Sequence, residues 1–167
     1  MTTLTFSTKT MRRWAPVFAV VAMFAFGSTG CSKKVADTDT TAADEATLGD
    51  SDSGKALGLQ TVNFEYDSFV LGADAKSILK ANADILKDKP SVKVQIEGHC
   101  DQRGGVQYNI ALGEKRANAV RKYLADLGIS DDRMSTISYG KERLLETADT
   151  EAAYARNRRA NFVITAR

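Results

Sequence analysis

The segment Gly98–Ala117 holds the residue types in this chain that are best suited to recognising a ligand. It contains the only histidine, His99, and the acid Asp101 in a glycine-rich turn, and it continues into a predicted helix that carries Arg116. A carboxylate and a guanidinium around a backbone turn suit a ligand that bears both an amine and a carboxylate, because each end of that ligand finds an opposite charge. The segment therefore predicts a recognition site.

The same segment contains the residue types of a nucleophile with its base, in His99, Cys100 and Asp101. Consecutive residues on an extended segment alternate between its two faces, so the thiol of Cys100 cannot easily meet the ring of His99. The sequence lacks a G-x-S-x-G pattern and a recognisable glycosidase pair of acids, and one histidine with one cysteine is too few for a zinc site. We therefore predict a binding protein rather than an enzyme, with no metal and no cofactor.

The first 30 residues have the organisation of an export signal. Three basic residues precede an apolar run over 14–26, which ends in small residues before Cys31. The run is shorter than the roughly 20 apolar residues that a membrane-spanning helix needs. We predict that residues 1–30 are a signal peptide. Its loss changes the formal net charge from +2 to −1, which gives no electrostatic support for nucleic-acid binding.

Cys31 directly follows Gly30 at the end of this signal, an arrangement that resembles the lipobox of bacterial lipoproteins. The resemblance implies that Cys31 is acylated, and two or more acyl chains make membrane anchoring stable. Ser28 departs from the motif, because lipoproteins commonly have leucine at this position. The alternative is ordinary signal cleavage that leaves Cys31 as a free thiol. Ser32, by the same resemblance, implies sorting to the outer membrane.

Composition divides the rest of the chain into a linker and one domain. Residues 31–58 are rich in Asp, Thr, Ala, Ser and Gly and lack aromatic residues. Such a segment cannot bury enough apolar area to offset its chain entropy, so we predict a disordered tether that typically spans about 30 Å. Residues 59–167 have the length of a common single domain.

Hydrophobic periodicity predicts alternating strands and helices in this domain. The predicted elements are a strand over 61–66, a helix from Leu71 that stops at Pro90, a strand over 92–97, a helix over 106–127 that stops at Gly128, a strand over 135–139, a short helix around 150–156 and a strand around 160–164. The first strand is predicted to bury Val62, Phe64 and Tyr66. The order βαβαβ(α)β predicts an α+β fold with two layers, a mixed sheet with its helices on one face.

Five sequence blocks in this domain resemble the OmpA-like peptidoglycan-binding domain, and more narrowly that of the peptidoglycan-associated lipoproteins. The blocks are FEYDS (64–68), GHCDQRG (98–104), YNIALGEKRA (108–117), SYGKE (138–142) and NRR (157–159). They keep the order and spacing of the family over essentially all of 60–167. The chain departs from the lipoproteins at Gln102 and Gln107, where Glu is common, and at Gly105, where Thr or Ser is usual.

The resemblance implies non-covalent binding of the peptide stem of peptidoglycan, at diaminopimelate. Asp101 would hold the ammonium of this ligand and Arg116 its carboxylate. The spacing of the predicted helix independently places Asn109 and Arg116 on one side. Further contacts are expected from the following residues near the same turn: Asp67, Tyr66, Ser68, His99, Asn109 and Leu112.

The two charged residues also have purely structural interpretations. In these, Asp101 caps its turn through an Asx hydrogen bond, and Arg116 pairs with Glu114 or covers the edge of the core.

One asparagine and three arginines lie just before the last predicted strand. Asn157 and Arg158 are predicted to form structural hydrogen bonds as often as ligand contacts. Arg156 and Arg159 are predicted to be a solvated basic edge.

The resemblance further implies a lipid-anchored protein of the periplasmic face of the outer membrane. It would link the outer membrane to the cell wall and exchange partners with the Tol system, notably TolB, in envelope constriction and cell division. One alternative is a flagellar stator-type wall-anchoring protein, which the run over 14–26 disfavours because it lacks both the length and the acid of such a helix. A cell-wall hydrolase is the other, disfavoured by the absence of a catalytic pattern.

Overall fold

Strands and helices follow one another in the described part of the chain in the predicted order. The structure is a computed structural model that describes residues 48–167, so the predicted signal peptide 1–30, Cys31 and residues 32–47 of the predicted tether lie outside the described residues. The elements are β1 (Val62–Asn63), α1 (Ala73–Asp88), β2 (Lys93–His99), α2 (Val106–Asp126), a 3-10 turn (Asp131–Arg133), β3 (Met134–Gly140), α3 (Glu151–Asn157) and β4 (Arg159–Ala166).

The strands of this region form one mixed sheet in the order β1-β4-β2-β3. β2 runs parallel to β3 and antiparallel to β4, and β4 is antiparallel to β1. Alternation along β2 turns Val94 and Ile96 toward α1 and α2, where they share a core with Leu79 and Val120. The predicted α+β architecture, with a mixed sheet and helices on one face, is confirmed.

Both predicted helix stops are confirmed. α1 ends at Asp88, ahead of Pro90. Gly128 follows α2 with φ 94° in the left-handed region that favours glycine, and its N–H donates to the carbonyl of Ala125 (2.8 Å). No helix within residues 48–167 is long and apolar enough to cross a membrane.

A pair of glycines lets α2 approach the sheet closely beside the predicted site. A Cβ atom on Gly98 of β2 would lie 1.9 Å from the carbonyl oxygen of Gly113 in α2. A Cβ on Gly113 would lie 2.3 Å from the hydroxyl oxygen of Ser138 in β3. Only glycine at both positions allows this contact, which sets the N-terminal half of α2 against the ends of two strands.

The first strand is shorter than predicted, because an arginine binds the backbone that follows it. β1 has only two residues. Beyond it, the guanidinium of Arg116 uses the carbonyl oxygens of Glu65 and Ser68 as hydrogen-bond acceptors. Phe64 is buried as predicted, but Tyr66 is 61% exposed, so the predicted burial of Tyr66 is wrong.

Residues 48–58, called here the N-terminal arm, are part of the folded unit, although their composition predicts a tether. The N–H of Leu48 donates to the carbonyl of Ile164, and the N–H of Ser51 donates to that of Phe162, both at 2.9 Å. These hydrogen bonds use the part of the β4 edge that the two-residue β1 leaves free. The folded unit therefore starts before the boundary that the composition predicts.

Candidate ligand-binding site

A cavity of about 50 Å³ lies where the C-terminal end of β2 meets the start of α2 and the loop after β1. Its lining comes from four places in the chain: Tyr66, Asp67, Cys100, Asp101, Arg103, Gly104, Tyr108, Asn109, Leu112, Arg116 and Arg158. Six of the eight predicted ligand-binding residues are in this lining. Ser68 and His99 are the two that are not.

Asp101 is only 4% exposed and accepts hydrogen bonds from two arginines. The guanidinium of Arg103 donates to Oδ2 of Asp101 (2.6 Å), and the main-chain N–H of Arg103 donates to Oδ1 (3.1 Å). Nη1 of Arg158 donates to Oδ2 at 3.4 Å. Burial by itself raises the pKa of Asp101, but these hydrogen bonds outweigh it and hold the pKa below its ordinary value. Asp101 is therefore a buried, ionised carboxylate at neutral pH.

Arg116 is fully buried, and its guanidinium donates hydrogen bonds to three main-chain carbonyls. It donates to the carbonyl oxygens of Ser68 (2.8 Å), His99 (2.8 Å) and Glu65 (3.1 Å). Burial lowers the pKa of Arg116, yet arginine remains charged in proteins. The side chain holds the loop after β1 against the end of β2 and places a positive charge at the cavity.

Arg158 lines the cavity and also makes structural hydrogen bonds. Its guanidinium donates to the carbonyl of Phe64 (3.1 Å) and to Glu151 (2.9 Å). The neighbouring Arg159 is buried and pairs with Asp52 at 2.8 Å, so its prediction as part of a solvated edge is wrong. The physical reason is the N-terminal arm, which brings Asp52 onto this side of β4.

For Asn157 the structure shows the structural one of its two predicted roles, and Arg156 is exposed as predicted. The side chain of Asn157 accepts a hydrogen bond from the N–H of Leu145 (2.7 Å) and donates to the carbonyl of Glu146 (2.6 Å), which is a structural role. Arg156 lies on the surface and pairs with the carboxylate of Glu146.

The side chains of Ser68 and His99 lie outside the cavity. The Ser68 hydroxyl accepts a hydrogen bond within its own loop (3.1 Å). The His99 ring is buried, stacks on Tyr139 at 5.6 Å between centroids, and has Nε2 3.5 Å from the carboxylate of Glu97. Burial lowers the pKa of His99 more than Glu97 raises it. Both residues contribute to the site only through the carbonyls that Arg116 binds.

Cys100 has different neighbours from His99, as the alternation along the strand predicts. Its thiol donates to the carbonyl of Asn109 (3.3 Å) and lies 3.4 Å from Nη1 of Arg116. Burial raises the pKa of the Cys100 thiol, which makes it a poor nucleophile. Within residues 48–167, no group of three or more His, Cys, Asp or Glu side chains is placed to hold a metal ion.

Two side chains fix the loop that carries Asp101. The amide of Asn109 donates to the carbonyl of Arg103 (2.7 Å), and the ammonium of Lys141 donates to that of Gly104 (2.7 Å). Gly104 has φ 80°, a conformation that favours glycine. Asn109, predicted as a ligand contact, lines the cavity and also positions this loop.

Aromatic rings surround the mouth of the cavity. Tyr66 and Tyr108 are both exposed, and the hydroxyl of Tyr108 donates to Asp67. The guanidinium carbon of Arg103 lies 4.3 Å from the ring centroid of Tyr66 and 4.1 Å from that of Tyr154. These distances are typical of cation–π contacts.

Three guanidinium groups, the buried carboxylate of Asp101 and the exposed carboxylate of Asp67 set the charge of the cavity. Arg103, which the sequence prediction did not include, and Arg158, for which a ligand contact was one of two alternatives, join Arg116 and Asp101 in its lining. The excess positive charge suits a ligand carboxylate, and Asp101 suits an ammonium. The position of Arg103, two residues after Asp101 in the same turn, is a local sequence signal that could have predicted their contact. Arg158 comes from a distant segment and gives no such signal.

The family of the chain follows from comparison with known proteins. Residues 63–158, more than half of the chain, match the OmpA family. A peptidoglycan-associated lipoprotein of Agrobacterium fabrum is 38% identical over 163 residues, which cover 92% of this chain and 91% of the relative. The chain belongs to the OmpA family, among the peptidoglycan-associated lipoproteins. The family resemblance of the five sequence blocks is thereby confirmed.

Two solved structures share the architecture described above. The crystal structure of the peptidoglycan-associated lipoprotein from Burkholderia pseudomallei is 39% identical, covers 68% of this chain and 96% of its own, and has a TM-score of 0.62. The C-terminal domain of Helicobacter pylori MotB is 23% identical, covers 63% of this chain and 83% of its own, and has a TM-score of 0.59. The likeness to MotB shows the fold alone.

Proposed function

We propose that this chain is an outer-membrane lipoprotein that binds peptidoglycan non-covalently and so tethers the outer membrane to the cell wall. The observation that carries the proposal is one cavity, in a member of the OmpA family, that Asp101, Arg116 and Arg158 line together. The names of the relatives support the cell wall as the ligand. The site binds, and no bond of the ligand is broken.

The proposed ligand group is diaminopimelate of the peptide stem, which carries an ammonium and a carboxylate on one carbon. Its ammonium pairs with Asp101, and its carboxylate faces Arg116 and the free N–H groups at the start of α2. A cavity of about 50 Å³ accommodates this polar head group but not a whole stem. The rest of the stem therefore crosses the mouth, against the exposed rings of Tyr66 and Tyr108.

The membrane anchor and the Tol partners belong to the same proposal. Acyl chains on Cys31 hold the protein on the periplasmic face of the outer membrane, and the segment after Cys31 reaches toward the wall. The domain exchanges partners with TolB and other Tol proteins in envelope constriction and cell division. Family membership supports the partners, and the lipobox resemblance supports the anchor. Labelled palmitate should enter the wild-type protein but not Cys31→Ser, and equal labelling of both would contradict the anchor.

Retention on purified peptidoglycan sacculi tests the wall-binding site. We expect Asp101→Asn to lower retention at least tenfold, because the ligand ammonium loses its only buried carboxylate partner in the cavity. Asparagine keeps the size of the side chain and one oxygen acceptor for Arg103. Thermal unfolding of the variant separates loss of binding from loss of folding.

Asp131→Asn is the matched control for this experiment. Asp131 is exposed, pairs with Arg121 at 3.1 Å and lies outside the cavity, so the control changes net charge equally. We expect it to bind like the wild type. Wild-type retention of a folded Asp101→Asn protein would overturn the proposed site.

A further inference from the structure

The place that an ammonium would take on Asp101 is held by Arg103. The two side chains form the shortest contact of this carboxylate, at 2.6 Å, and Nε of Arg103 also donates to Oδ1 at 3.3 Å. Together with Arg158, this leaves Asp101 with two guanidinium partners. A ligand ammonium can reach Asp101 only if one of them gives way.

Arg103 is the partner that can give way. Its side chain is 34% exposed, whereas that of Arg158 is 6% exposed and is also bound to the carbonyl of Phe64. Away from Asp101, the guanidinium of Arg103 already has a second acid, Glu151, at 3.4 Å. It can therefore leave the cavity without losing every charged partner.

Two aromatic rings make this movement short. Tyr66 and Tyr154 lie on the guanidinium of Arg103 at 4.3 Å and 4.1 Å. A guanidinium can slide between two ring faces and keep most of its cation–π attraction. A shift from Asp101 toward Glu151 thus exchanges one carboxylate for another and needs no change in the fold.

We infer, on the basis of the proposed function, that Arg103 is a specificity-determining residue that competes with the ligand ammonium for Asp101. A ligand with an ammonium alone forms an ion pair with Asp101 but must displace Arg103 from it. A ligand that also carries a carboxylate is attracted in addition by the positive charge of Arg116 at the cavity. The internal competitor therefore selects a combined ammonium and carboxylate over a simple amine.

The competition sets the size of the expected effect. When a protein must leave a closed state before it binds, its apparent dissociation constant is the intrinsic one divided by the fraction of open molecules. Here the closed state is the one in which Arg103 is paired with Asp101. A partly exposed, charge-assisted ion pair changes such a constant by about three- to tenfold. Removal of the Arg103 guanidinium should therefore tighten binding of a free-amine ligand by about that factor.

Titration calorimetry with two soluble probes tests the inference. The first probe is a muropeptide whose stem ends in diaminopimelate with a free amine, and the second is the same muropeptide with that amine acetylated. For Arg103→Gln we expect a dissociation constant about three- to tenfold lower than wild type for the first probe and no tightening for the second. Arg103→Lys, which keeps the charge, should lie between the two proteins.

Arg121→Gln is the matched control. Arg121 has a similar exposure of 38%, forms one ion pair, with Asp131, and lies outside the cavity, so it should bind like the wild type. The inference is overturned if the wild type binds the free-amine probe and folded Arg103→Gln binds it equally or more weakly. That result leaves the proposed function intact. No binding of this probe by the wild type would overturn both.

Discussion

Arg116 shows how one buried charge serves both the fold and the site. Three main-chain carbonyls accept its hydrogen bonds, so the guanidinium builds the loop that carries Tyr66 and Asp67. Loss of the side chain would leave these carbonyls without their partner, at a cost of about 1–3 kcal/mol for each one that stays dry. Arg116 therefore cannot be removed to test binding alone, whereas Asp101 can.

His99 should make stability depend on pH below its ordinary pKa of 6.5. Burial lowers its pKa in the folded protein below the ordinary value of 6.5, so the unfolded chain takes up a proton first as pH falls. The stability from neutral His99 is thus present above about pH 6.5 and is lost as pH falls toward the lower folded pKa. We expect the free energy of unfolding to fall as pH is lowered below about 6.5, by at most about 1.4 kcal/mol per pH unit, measured by urea unfolding.

His99→Phe isolates this effect, because it keeps a ring against Tyr139 without a titrating group. Glu97, whose pKa is also lowered in the folded protein, titrates at lower pH, from an ordinary value of 4.5. His99 is the only histidine, so the variant should lose the pH dependence that begins near pH 6.5. The same slope of stability against pH in both proteins would contradict the prediction.

At the scale of elements, the contact between β2 and α2 sets the geometry of the cavity. Gly98→Ala would place a methyl group 1.9 Å from the carbonyl oxygen of Gly113, so α2 must move. We expect a loss of about 3 kcal/mol in the free energy of unfolding, together with loss of sacculus retention, because Arg116 moves with α2 relative to Asp101. Urea unfolding and the retention assay measure the two effects.

Gly105→Ala is the control for that substitution. No heavy atom lies within 4 Å of a Cβ at Gly105, and its φ of −77° is allowed for alanine. It should change stability by less than about 1 kcal/mol. If the two variants were equally stable, the close approach of Gly98 to α2 would not be a constraint on this fold.

The accuracy of the sequence prediction depended on whether a feature is encoded locally. β2, with Val94 and Ile96 alternating, and the two long helices have periodic patterns, and their existence and order were predicted correctly. Asp101 and Arg116 were also placed together, because they flank one turn and one helix. Burial of Arg159 and exposure of Tyr66 were missed, since each depends on a partner far away in the chain. The N-terminal arm was missed because its hydrogen bonds are made by backbone rather than by apolar side chains.

At the scale of the whole domain, the cavity and Leu48, the first residue that the structure describes, lie at opposite ends of the sheet. Leu48 is bonded to Ile164, which is paired with Val94 near the start of β2, whereas Asp101 follows the end of β2. At about 3.3 Å per residue, these ends are roughly 20 Å apart. This arrangement suits the proposed function, in which the domain carries load between a membrane anchor and the wall.

The N-terminal arm should therefore be essential to the stability of this domain. Without it, the β4 backbone at Phe162 and Ile164 loses its hydrogen-bond partners, and the buried Arg159 loses its pairing with Asp52. A buried charge left without its partner typically costs about 3–5 kcal/mol. We expect a fragment of residues 59–167 to have a free energy of unfolding at least about 3 kcal/mol below that of 48–167, measured by urea unfolding.

Asp52→Asn in the 48–167 fragment separates the two contributions to this loss. It weakens the ion pair with Arg159 but keeps the backbone pairing of the arm with β4, so its stability should lie between those of the two fragments. Under the proposed function the order matters, because load from the membrane anchor would reach the cavity through the arm. Coincident unfolding curves for 48–167 and 59–167 would instead mean that the tether extends to residue 58, as the composition predicts.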